Sequence, residues 1–146
     1  SESCWSWCCG GIDGKIELNV VPVYYDKSSG SVSLARKSLG KKTRDEQRGK
    51  WCDYNSVLFR WDINKHAYNY LLSVYEDDGG NGNGVTVTVG AVYKITDSLE
   101  ANASISYNID NRDEEFGEVE VYYFYEENNE FSLHPEKGSA KIMVGQ

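Results

Sequence analysis

Proline and histidine are scarce in this chain, with two of each among 146 residues, and no run approaches the roughly 20 consecutive apolar residues that a membrane-crossing helix requires. The first residues also lack a basic segment followed by an apolar one, so the chain is expected to be cytosolic or already processed. Two histidines leave few unperturbed general bases near neutral pH. His66 falls in a turn and His134 at a strand end before Pro135, and neither belongs to a nucleophile elbow, a zinc-protease helix or a phosphate-binding loop. The chain therefore reads as a non-enzyme. Lysine and arginine are few in the second half: residues 68–146 carry four against fifteen Asp and Glu, whereas residues 1–67 carry eleven against eight. With a net charge of −8 the whole-protein field opposes nucleic acid and anionic membranes. The exception is the stretch 36–50, where Arg36, Lys37, Lys41, Lys42, Arg44, Arg48 and Lys50 face only Asp45 and Glu46. It reads as a solvated basic loop, with a one- or two-turn helix allowed inside 38–47.

Aromatic residues are abundant by contrast. Eleven Tyr, four Trp and four Phe, with 40% hydrophobic residues overall, suit a single folded domain over 1–146. Residues 1–14 read as a Cys- and Gly-rich N-terminal tail. It holds Cys4, Cys8 and Cys9, and with Cys52 they make an even number. Adjacent cysteines are bridged only with strain, which leaves Cys4–Cys8 with Cys9–Cys52, or Cys4–Cys9 with Cys8–Cys52. Either pairing ties the tail to the body at Trp51 and Cys52, and both imply an extracellular or periplasmic protein. Zinc is the weaker alternative, because adjacent cysteines rarely reach one ion together.

Alternation of apolar and polar residues recurs through the chain, which predicts strands with one buried face. Tyr68, Tyr70, Leu72 and Val74 share one parity, as do Val85, Val87, Val89, Ala91, Tyr93 and Ile95, and the two runs read as a hairpin around the loop 77–83. Similar patterns predict strands at 15–25, where Pro22 marks an edge or a bulge, and at 31–35, 57–63, 100–109, 118–126, 131–133 and 140–144. About eight strands without a convincing helix predict an all-β, antiparallel β-sandwich.

Two acidic loops, 77–83 and 110–115, are expected at one end of that sandwich. Asp77, Asp78, Asn81, Asp110, Asp113 and Glu114 would then gather the hard oxygen donors that Ca²⁺ takes six to eight of. That loop-end arrangement is similar in architecture to C2-type sandwiches, and the resemblance implies no particular ligands. The spacing misses that of an EF-hand, and Asp and Gly are also ordinary turn residues. Trp5, Trp7, Tyr122 and Phe124 are the candidate aromatic contacts for a protein or glycan surface, since Tyr122 and Phe124 fall on the face opposite Val119 and Val121. Asn102-Ala103-Ser104 matches the glycosylation sequon. The chain is expected to be a binding module that is calcium-dependent through its loops, or alternatively an acidic inhibitor or immunity-type protein that neutralises a basic partner.

Overall fold

In a computed structural model, the described residues are 4–10, 16–42, 51–54, 56–77, 84–110, 113–123, 129–135 and 139–145. Their strands are β1 (Cys4–Gly10), β2 (Ile16–Asp26), β3 (Ser31–Leu34), β4 (Lys37–Lys42), β5 (Cys52–Asp53), β6 (Asn69–Glu76), β7 (Gly84–Lys94), β8 (Glu100–Asp110), β9 (Glu114–Tyr122), β10 (Asn129–Leu133) and β11 (Ser139–Gly145). Every pairing among them is antiparallel, in keeping with the alternating pattern.

The arrangement is organised by β6, all eight residues of which are buried. It lies between β2 and β9 in a central sheet ordered β3-β2-β6-β9, with β4 continuing the edge of β2 beyond β3. One face of that sheet, built from Leu18, Val20, Tyr70, Leu72, Val74, Val119 and Val121, packs on Leu133, Ala140, Ile142 and Val144 of the sheet β10-β11-β1-β5. The opposite face, with Val21, Val23, Leu71 and Tyr75, packs on Val87, Val89, Tyr107 and Ile109 of the hairpin β7-β8. A middle sheet apolar on both faces needs a cover on each side, which accounts for a third sheet in addition to the two that a sandwich requires.

Several expectations change at this level. The run at 68–76 does not form a strand ladder with 84–95: β6 bonds β2 and β9, and β7 bonds β8, so the two strands belong to different sheets and are not the arms of one hairpin. The N-terminal tail contains β1, an inner strand. Six residues of the basic stretch 36–50 form β4, so 38–42 are strand, while the rest of the stretch where a short helix was allowed lies outside the described residues. Residues 57–63 form no strand. Leu58, Phe59 and Trp61 are all buried there, a spacing that period-2 alternation cannot produce, and Tyr24, Tyr70, Tyr123 and His66 surround them at ring separations of 4.6 to 5.2 Å.

Two backbone irregularities shape the central sheet. Pro22 sits inside it because its carbonyl, which accepts Ala35 N–H at 3.2 Å, and hence its nitrogen face the join between β3 and β4. In β9 the register slips at Phe116, and Gly117 adopts φ 113°, a conformation that costs glycine little. The bulge sends Phe116 wholly into the core and leaves its carbonyl to accept His134 N–H at 2.7 Å, linking the central sheet to the segment after β10.

Candidate binding groove

The hairpin covers β2 and β6 but stops short of β9. On the hairpin side of the central sheet β9 presents Glu118, Glu120 and Tyr122, opposite Ser73, Leu71 and Asn69 in register. An open groove of about 510 Å³ results, with Leu71 in its floor, the β9 side chains along one wall, and Gly90, Ala91, Val92, Lys94 and Glu100 along the other. The alternation of β9 is enough to put Glu118, Glu120 and Tyr122 on one face; a partial cover over that face required the tertiary structure.

Asn69 holds the two walls together. It is 1% exposed, an unusual setting for an amide unless its hydrogen bonds are made. Its Nδ2 donates to Val92 O at 2.9 Å and to Glu120 Oε1 at 2.7 Å, while its Oδ1 accepts Lys94 N–H at 2.8 Å. Tyr68 N–H adds a bond to Lys94 O at 2.7 Å. One side chain thus spans β6, β7 and β9, and nothing in the sequence around it marked it out.

The groove is negative. Glu100, Glu118 and Glu120 face one ammonium, Lys94, whose Nζ lies 5.7 Å from the Tyr122 ring centroid. Partial burial raises the pKa of Glu118, and the nearby Glu115 raises it further, although the side chain is still exposed to solvent. Behind the wall, burial followed by Glu118 and Glu120 pushes the Tyr93 phenol up to about 12.

The acidic loop bases meet at a second place. Glu76 is in register with Glu114, and Gly84 with Asp110, so the connection after Asp77 and the one after Asp110 leave the same end of the molecule. Asp77 N–H donates to Glu17 O at 2.8 Å. Asp113 caps its own turn: its Oδ2 accepts Asp110 N–H at 3.0 Å and its N–H donates to Asp110 O at 3.0 Å. Arg36 also lies at this end. It donates to Asn108 O, its guanidinium is 4.9 Å from the Tyr107 ring, and it acts against the burial that raises the pKa of Tyr75, whereas Asp113 and Asp77 add to that rise. Asp78 and Asn81 lie outside the described residues, and among those described no group of three His, Cys, Asp or Glu is arranged to hold a metal.

Of the other expected sites, Phe124 and the side chains of Trp5, Trp7, Cys4, Cys8, Cys9 and Cys52 lie outside the described residues. The backbone does bring their segments together, since β1 pairs β5 with Trp7 opposite Cys52 and Ser6 opposite Asp53. His66 is a structural residue: its Nδ1 accepts Asp62 N–H at 3.2 Å, and its pKa is lowered mainly by burial, against the pull of Asp26 and Asp62.

Fold and groove together define an all-β protein whose described residues form three antiparallel sheets with an acidic cleft between two of them. No family model, curated protein or solved structure matches the chain.

Proposed function

We propose that the chain is a non-enzymatic binding module that takes a basic segment of a partner protein into the groove between β7 and β9. The observation that carries this reading is the set of three carboxylates, Glu100, Glu118 and Glu120, lining one open groove, with Lys94 the one cation among its described lining residues. A lysine or arginine entering there neutralises two walls at once, which favours basic partners and rejects acidic ones. Tyr122 adds an aromatic surface for the stem of such a side chain. This agrees with the neutralising-partner alternative of the sequence more closely than with the glycan one. The measurement is binding of fluorescent oligolysine and oligoglutamate to the chain and to its E118Q/E120Q variant. Oligolysine alone should bind, more weakly in the variant and more weakly as salt rises; equal affinity for both peptides removes the reading.

An extracellular or periplasmic setting with the four cysteines paired accompanies this proposal, resting on their even number and the β1-β5 pairing. Calcium at the loop end is the second reading, favoured by the shared origin of the two acidic connections and opposed by Arg36 beside them. A rise in Tm on adding Ca²⁺, reversed by EDTA, supports it; an unchanged Tm removes it.

A further inference from the structure

One wall of the groove is the edge of a strand. In an antiparallel ladder the N–H and C=O of a residue point to the same side, and successive residues alternate. Lys94 gives its N–H to Asn69 Oδ1 and its carbonyl to Tyr68 N–H, and Val92 gives its carbonyl to Asn69 Nδ2, so the even-numbered residues of β7 face away from β8. Asn69 therefore imitates a neighbouring strand at the end of β7. Before that point the imitation stops: Val92 N–H and both backbone groups of Gly90 turn toward the groove with no partner among the described residues.

Exposed edges are ordinarily blunted by proline, bulges or inward charge. The register of β7 runs unbroken from Gly84 to Lys94, without proline, and at Gly90 no side chain shields the backbone. Facing that edge are the carboxylates of Glu118 and Glu120.

We propose that the edge of β7 at Gly90 and Val92 accepts an extended segment of the partner as an added strand, with Lys or Arg at alternate positions directed at Glu118 and Glu120. The inference rests on the basic-partner reading and supplies its geometry: main-chain bonds hold the segment, and the two carboxylates select its side chains. A second copy of this chain is a poorer occupant, because edge-to-edge pairing would bring two rows of carboxylates together on molecules each carrying −8.

The test uses the whole chain and a short fluorescent peptide of alternating Lys and Val, beside its backbone N-methylated counterpart, which keeps the charges and loses the donors. Affinity for the first should fall about tenfold or more in E118Q/E120Q and in V92P, which removes an N–H that plays no part in the β7-β8 ladder. The methylated peptide should bind poorly and no more weakly to V92P than to the parent chain, and the amides of Gly90 and Val92 should exchange more slowly when the first peptide is bound. If both peptides bind alike and those amides are unaffected while E118Q/E120Q still weakens binding, strand addition is overturned and the basic-partner reading stands. If neither peptide binds, both are overturned. Self-association abolished by V92P would assign the edge to a second copy and likewise overturn the proposal.

Discussion

Replacing Asn69 tests how the groove is built. In Asn69→Ala three hydrogen bonds disappear at once: two between neutral groups, to Val92 O and from Lys94 N–H, and one to the carboxylate of Glu120. Neutral bonds contribute about 0.5–1.5 kcal/mol each and a bond to a charged group about 1.5–3 kcal/mol. Water can re-solvate part of what is left, because Lys94 is exposed and Glu120 half-buried, so the lower end of the sum applies. The expected loss is about 3 kcal/mol, or a fall in Tm of roughly 6–12 °C for a domain of this size. Asn69→Asp should cost more, since a carboxylate oxygen would replace the donor that faces Val92 O and Glu120 Oε1. Urea denaturation gives the energy, and hydrogen exchange at Tyr68 and Lys94 shows whether the end of β7 has come loose. A loss under about 0.5 kcal/mol with unchanged exchange would refute the reasoning: the hairpin would then be held by the apolar cluster around Val89 and Tyr107 alone.

Phe116→Ala should destabilise the protein by about 3–5 kcal/mol in the same denaturation experiment, because a fully buried ring is removed from a bulge that cannot close over the space. Gly117→Ala should also destabilise, by about 1 kcal/mol or more, since φ 113° suits glycine alone and the space around a new Cβ is open. His66 should make stability fall with acidity. Its folded pKa lies below the ordinary 6.5, so below about pH 6.5 the unfolded chain binds the proton first; the contribution is complete above that pH and is lost toward the folded pKa. His66→Phe should flatten this part of the Tm-against-pH curve, and an unchanged slope would assign it elsewhere. Glu118 has a raised folded pKa, which disfavours the folded state at neutral pH, so Glu118→Gln should raise Tm there even as it weakens oligolysine binding.

Much of the fold was legible because a strand with one wet face writes its period into the sequence. The run Ala101 to Ile109 is the plainest case: its odd residues turn inward, and Glu100, Asn102, Ser104, Ser106 and Asn108 are exposed, as their alternation predicts. The same rule failed at 57–63, where tertiary burial of Leu58, Phe59 and Trp61 overrides local periodicity, and at 68–76, where both faces are covered and alternation carries no information about the partner strand. Asp77 and Asp110 do lie at one end of the molecule, but β6 and β7 belong to different sheets and are not the hairpin that suggested it.

Sequence alone determined the class: alternating apolar residues and few helix-compatible stripes dictate an antiparallel all-β protein, and its charge is concentrated as acid in the second half. Which strands become neighbours was decided only in three dimensions. Hydrogen-bond donors along a strand are chemically alike, so pairing is chosen by which faces can be buried together. That choice left β9 half covered, put Glu118, Glu120 and Tyr122 opposite an open strand edge, and made Asn69 the residue that joins them.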